Sequence, residues 1–124
     1  MDKVVKVDAN TNRIDISRDL SVAIRAAKPG PPERMDGMTV GVVTMEGESP
    51  HGGEMHPDGD EILYVISGVL RITYDSDPDA PVLLSPGEAC VIPKGEWHIV
   101  NVVEKSQFVH ITPGPNGEAR PKPH

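Results

Sequence analysis

Turn-forming residues spread along the whole chain most constrain how it can fold. Thirteen Pro and twelve Gly make up a fifth of the 124 residues, and they stand between short apolar runs instead of collecting in one low-complexity block. Proline removes a backbone donor and glycine opens positive φ, so each tends to end the run before it. Short runs bounded by turns read as strands. Met38 to Met45 (MTVGVVTM) reads as a buried strand, with Gly41 permitting close approach of another backbone or a ligand, and Ile62 to Ile66 is a second apolar run ending at Ser67-Gly68, where a turn is predicted. Val69 to Tyr74 sets Leu70, Ile72 and Tyr74 against Arg71 and Thr73, the alternation of a strand with one wet face. Val82 to Leu84, Ala89 to Ile92, His98 to Val103 and, after a turn at Glu104-Lys105-Ser106, Gln107 to Thr112 complete the series. With strand character also at Lys3 to Val7 and Arg13 to Ile16, the total is about eight to ten short strands, which predicts an all-β barrel or jelly roll.

One segment breaks this pattern. Leu20, Ala23, Ile24 and Ala27 recur at helical spacing behind Ser17, a possible N-cap, which predicts a short helix over Ser17 to Ala27 stopped by Pro29-Gly30-Pro31-Pro32. Residues 1–34 are thus expected to form an N-terminal arm with that helix, 35–112 the barrel, and 113–124, the polar and proline-rich PGPNGEARPKPH, a tail laid over the barrel or a neighbour.

A formal net charge of -7 with no Lys/Arg cluster argues against nucleic acid as a partner. No apolar run is long enough to span a membrane, and MDKVVKVDAN lacks the apolar core of a signal peptide, so the expectation is a cytoplasmic protein. The single Cys90 agrees, since it rules out an internal disulfide framework, and it reads as a packing residue. Aromatic side chains are 3% of the chain, so the interior must be filled mainly by Val, Ile, Leu and Met.

The chemistry concentrates in EMHPDGDEILYVISG, Glu54 to Gly68. Glu54 and His56 are two residues apart and share one face of an extended strand, and Glu61 opens the next run, so three possible metal ligands gather at the mouth of a predicted hairpin. A fourth comes from Pro86 to His98 (PGEACVIPKGEWH), in which Pro93 and Gly95 interrupt an apolar strand just before Trp97-His98. Imidazole with carboxylate is a ligand set for Zn, Fe, Mn or Ni. His51 competes with Glu54: its parity is opposite, but Gly52-Gly53 can break the strand's regularity. Asp60 competes with Glu61, and parity does not separate them, because both faces of the following run are apolar; Asp60 reads as a turn residue or as an acceptor for a ligand imidazole. His110 shares parity with Phe108 and Thr112 and reads as a satisfied barrel histidine or a pocket wall, and Trp97, facing away from His98, as core or interface.

Both segments resemble the paired signature motifs of the cupin superfamily, G-x5-H-x-H-x3,4-E-x6-G and G-x5-P-x-G-x2-H-x3-N. His56, Glu61 and Gly68 stand at the positions of the first motif, and Gly87, Pro93, Gly95 and His98 at those of the second. Glu54 occupies the place of the first motif's leading histidine, and the closing asparagine is displaced by one, to Asn101. The resemblance implies a cupin double-stranded β-helix, a divalent metal held by Glu54, His56, Glu61 and His98, and N-terminal strands that pair with a second subunit in a homodimer. Two imidazoles and two carboxylates around a divalent ion would be formally neutral, and the extra oxygen ligation favours Fe or Mn, with Zn or Ni also possible. Three functions fit: a metal-dependent dioxygenase, isomerase or lyase acting on a small oxygenated or aromatic acid; a metal or small-molecule binding or sensing module without turnover; and a metal-free barrel whose motif residues form a polar network.

Overall fold

The computed structural model describes residues 3–30 and 32–123, so Pro31 of the predicted helix stop, Met1 and Asp2 of the arm and His124 of the tail lie outside the described residues. Among the described residues nine strands follow one another: β1 (Asn12–Ser17), β2 (Val22–Ala26), β3 (Gly37–Met45), β4 (Glu54–Met55), β5 (Glu61–Tyr74), β6 (Val82–Leu84), β7 (Ala89–Ile92), β8 (His98–Gly114) and β9 (Glu118–Ala119). All pairings are antiparallel. The all-β barrel expected from the turn spacing is what forms, built around the long strands β5 and β8.

The predicted helix is a strand. Residues 18–21 make a tight turn in which Leu20 takes φ 72°, and the Asp19 carboxylate closes it by accepting from the Ser21 backbone N–H (2.9 Å) and hydroxyl (2.6 Å). β2 then returns along β1. Helical spacing of four small or aliphatic residues is a weak local preference, whereas the hairpin gains a ladder and a two-pronged ion pair from Arg25 to Asp15 (2.8 and 2.9 Å), an acid left 8% exposed.

The two turns predicted at Ser67-Gly68 and Glu104 to Ser106 are not turns. β5 and β8 run through them, and the register between the two strands slips there. The slip lets each strand leave one side of the barrel and join the other. Gly68 has φ +82°, and a Cβ on it would stand 2.2 Å from Ser106 Oγ and 2.4 Å from the Lys105 carbonyl oxygen. The buried Ser106 hydroxyl donates to the Glu104 carbonyl (2.8 Å), so the irregular backbone is satisfied from within. Leu63, Val65, Leu70, Ile72, Leu84, Ile92 and Phe108 fill the space between the two halves. The core lies just beneath the mouth at which β4, β5 and β8 begin.

The expected hairpin between the segments of Glu54 and Glu61 does not form either. β4 pairs with the start of β8 and with β9, so the C-terminal segment lies over the barrel, as one of the two expected placements had it, and adds a strand across the mouth. Arg120 fastens it: its backbone exchanges bonds with Gly52 and Gly53, its guanidinium grips Asp75 (2.7 and 2.9 Å), and it lies 4.7 Å from the centre of the Trp97 ring.

Candidate metal centre

Three chain segments deliver four side chains to one point. Glu54 opens β4, His56 follows that strand, Glu61 is the first residue of β5 and His98 the first of β8. Strand ends suit this purpose, because the ladder behind each residue fixes its backbone while the side chain reaches past the core. One ligand atom from each of the four lies within 4.8 Å of all the others. His98 Nε2 is 3.0 Å from Glu61 Oε1 and 3.6 Å from Glu54 Oε1; His56 Nε2 is 3.4 Å from Glu61 Oε2 and 3.7 Å from Glu54 Oε1. Three of the four are buried, with Glu61 3%, His98 1% and His56 8% exposed.

The proton inventory of this cluster is short. His98 Nδ1 lies 3.0 Å from the Glu96 carbonyl, which only accepts, so the Nδ1 proton is fixed and the neutral ring turns the lone pair of Nε2 toward the carboxylates. Burial pushes the His98 ring toward its neutral form, but the Glu54 and Glu61 carboxylates and the Glu96 carbonyl outweigh it and raise its pKa to about 10 without a metal. Burial likewise works against ionised Glu54, yet His56 and His98 hold its carboxyl well below the usual range. The cluster thus demands positive charge between its acids. At His56 the demand is open: both ring nitrogens are buried and have no hydrogen-bond partner among the described residues. A buried imidazole with nothing to bond is costly in a protein interior, and a cation at the centre of the four removes the cost.

Further residues orient these four. The Thr112 hydroxyl donates to Glu61 Oε2 at 2.6 Å and therefore accepts from His110 Nδ1, 2.8 Å away. Burial, the largest influence, lowers the His110 pKa and keeps that ring neutral. Gly41 is where His110 Nε2 and the Arg13 side chain cross β3: a Cβ there would fall 2.4 Å from the imidazole, so the close approach anticipated at this glycine is by side chains and not by a backbone or ligand. His51 is beside the cluster, with Nε2 3.5 Å from Glu54 Oε2. Its Nδ1 accepts from the Gly53 N–H at 3.1 Å, so its remaining proton points at the Glu54 carboxylate. Asp60 accepts from the Lys94 N–H and holds a turn, the first of the two roles expected of it. Asn101 accepts from the Ser49 N–H and so ties the second motif to the loop leading into the first. Cys90 packs against the core, and burial raises its thiol pKa.

A cavity of about 340 Å³ opens onto the cluster. Glu54, His56, His110 and Thr112 form its floor, Met35 and Arg34 one wall, and Pro115, Gly117, Glu118 and Ala119 the other. Arg34 bridges the walls by donating to the carbonyls of Pro115 (2.7 Å) and Gly117 (3.2 Å). Thr112 and Arg34 went unrecognised in the sequence. Alternation along β8 places Thr112 on the side of His110, but nothing local shows that its hydroxyl meets Glu61.

Residues 41–114 match the Cupin domain family model, which spans more than half of the chain and includes His56, Glu61 and His98. The chain belongs to the cupin family. Among solved structures, this cupin is similar to a cupin-2 domain containing protein from Shewanella frigidimarina, at 30% identity over 70% of this chain and 82% of that one, with a TM-score of 0.55. It is also similar in fold to a conserved protein of unknown function from Streptococcus pyogenes (24% identity, 68% of this chain and 69% of that one, TM-score 0.54). A third likeness is to oxalate decarboxylase from Bacillus subtilis, at 24% identity over 68% of this cupin but only 24% of that enzyme, with a TM-score of 0.55. No curated protein matches the sequence.

Proposed function

We propose that Glu54, His56, Glu61 and His98 hold one divalent metal ion and that this cupin is a metal-dependent enzyme acting on a small oxygenated or aromatic acid, in a dioxygenase, isomerase or lyase reaction. The observation that carries the metal is the convergence of four ligand atoms within 4.8 Å around a buried imidazole that has no other partner. Two neutral imidazoles and two carboxylates compensate a divalent charge, and the oxygen share of the set favours Fe or Mn, with Zn or Ni accepted where available. The ion would supply Lewis acidity toward a carbonyl or carboxylate oxygen.

The protein's own residues prepare the rest of the site. Thr112 orients Glu61, His51 steadies Glu54, and the Glu96 carbonyl selects the His98 tautomer that leaves Nε2 unprotonated. The cavity above holds a molecule of roughly ten to twenty heavy atoms by the usual volume of ligand sites. Arg34 on its wall places a guanidinium where an acid's carboxylate can pair with it, while Met35 and Pro113 supply apolar contact for the remainder.

Elemental analysis of untagged protein tests the metal. Near-stoichiometric Fe or Mn, lost in Glu54→Ala and in His98→Ala, is the expected result. Absence of metal even after supply of Fe, Mn, Ni and Zn would refute it. Turnover is tested by oxygen uptake and product analysis on the metal-loaded protein with small keto, hydroxy and aromatic acids. Tight binding of such acids without conversion would place the protein among binding modules.

A further inference from the structure

Of the titratable side chains on the cavity floor, Glu54 and His56 belong to the ligand cluster and His110 does not. His110 stands half-buried on β8, in register with Gly41 of β3 and Leu63 of β5. What lies behind it fixes its protons. An ionised Glu61 only accepts, so the Thr112 hydroxyl donates to Glu61 Oε2 (2.6 Å) and accepts from His110 Nδ1 (2.8 Å). In the neutral ring Nε2 is then the bare nitrogen, with its lone pair directed away from Thr112. No described residue bonds to that atom, and the nitrogens that are both unpaired and sealed from solvent are those of His56 alone. His110 Nε2 is therefore reached from outside the protein, and the cavity that His110 lines is the route. Glycine on β3 keeps the approach clear, since a side chain at Gly41 would run into Nε2. One nitrogen held by an orienting chain and the other left bare toward ligand space is the arrangement of a general base.

We propose that His110 is the general base of this cavity and that the acid it serves carries a hydrogen on the carbon beside a keto group. His110 acts so only in a cavity that binds an acid at a metal centre, the function proposed above. Nε2 takes the proton: the C–H bond breaks, the N–H bond forms, and the electron pair moves into the carbonyl to give an enolate. The ring becomes an imidazolium whose Nδ1–H is already tied, through Thr112, to the Glu61 carboxylate, so the developing charge has an acid at the end of the chain. Return of the proton to the opposite face of that carbon isomerises the acid. Departure of a leaving group, with its bonding pair, from the adjacent carbon makes the reaction an elimination. No electron passes to an outside acceptor, which selects the isomerase and lyase types over the dioxygenase. Charged and titratable groups face the ring from several elements: Arg13 on β1 and His56 after β4 favour its neutral form, and Glu61 on β5 and Glu54 on β4 its charged one. Burial outweighs them all and leaves the lone pair available.

Zinc-loaded protein, which is diamagnetic, permits the test by NMR. Pyruvate and 2-oxobutyrate in deuterated water should lose the hydrogens next to their keto groups faster with the protein than with zinc alone. His110→Asn, whose amide can keep the donation to Thr112, should cut that rate roughly 100-fold or more while zinc content and pyruvate affinity stay within about threefold. Imidazole nitrogen spectra of the labelled protein, recorded with and without zinc, should show His110 as the neutral tautomer protonated at Nδ1. Protonation at Nε2 instead would overturn the proposal without reference to turnover. So would exchange that His110→Asn leaves unchanged, or keto acids that bind and do not exchange. Failure of both keto acids to bind the zinc-loaded protein would remove the acid-site reading and this proposal with it, whereas binding without dependence on His110 removes this proposal alone.

Discussion

Thr112→Val isolates the contribution of one hydroxyl to the proposed metal centre. Valine keeps the shape and the β-branch of threonine on β8, so the ladder is preserved, while two bonds vanish: the 2.6 Å donation to Glu61 Oε2 and the acceptance at 2.8 Å from His110 Nδ1. The first is a hydrogen bond to a charged acceptor, worth about 1.5–3 kcal/mol. Without it Glu61 is free to rotate away from the position in which its two oxygens face His98 and His56, and metal affinity should fall roughly 10- to 100-fold, equivalent to about 1.4–2.7 kcal/mol. The second loss leaves the half-buried His110 N–H unpaired, which should cost the metal-free fold about 1–3 kcal/mol. The two effects separate in two assays: competition of protein and a chelator for Mn or Zn gives the affinity, and denaturant titration of chelator-treated protein gives the stability. Thr112→Ser, which keeps the hydroxyl, should recover most of the affinity. If Thr112→Val binds metal within about twofold of wild type while the fold is intact, the hydroxyl does not orient Glu61 and the reasoning fails.

Three further outcomes are expected. His98 has its pKa raised from 6.5 to about 10 in the metal-free fold, so its contribution to stability is complete below about pH 6.5 and is lost as pH rises toward 10; melting temperatures of chelator-treated protein should fall across that window, and metal binding near pH 8 should release a proton, measurable in a weakly buffered dye solution. His51→Ala should weaken metal binding far less than Glu54→Ala, since His51 touches the site only through Glu54 at 3.5 Å; equal losses by elemental analysis would make His51 a ligand. Gly68→Ala combines positive φ with a Cβ 2.2 Å from Ser106 Oγ and 2.4 Å from a backbone oxygen, so it should destabilise the fold by about 2 kcal/mol or more, read as a lower denaturant midpoint, and an unchanged midpoint would show that the crossing of β5 and β8 relaxes freely.

Spacing in the chain together with the motif resemblance brought Glu54, His56, Glu61 and His98 forward, and the fold gathers one ligand-type atom from each within 4.8 Å. Glu54 and His56 lie two apart, Glu61 follows after a short loop, and His98 comes after Pro93 and Gly95. Each of the four stands at or beside the end of a strand, where local periodicity and turn residues set the direction of the side chain. The all-β class was legible for the same reason, because proline and glycine act on their own neighbours. Choices between nearly equal local options needed the folded chain. Ser17 to Ala27 has helical spacing, yet pairing with β1 and the Arg25–Asp15 ion pair make it strand. Ser67-Gly68 and Glu104 to Ser106 carry turn residues, yet each strand stays extended because the other slips in register against it. The return of the C-terminal segment onto β4, and the meeting of Thr112 with Glu61, join residues roughly fifty to sixty-five positions apart, and no local preference encodes such distances. Residue chemistry and spacing along one strand are properties of the sequence; which strand lies beside which is settled only when all of them compete to bury the same core, and that competition decides the partners of every residue in the cluster.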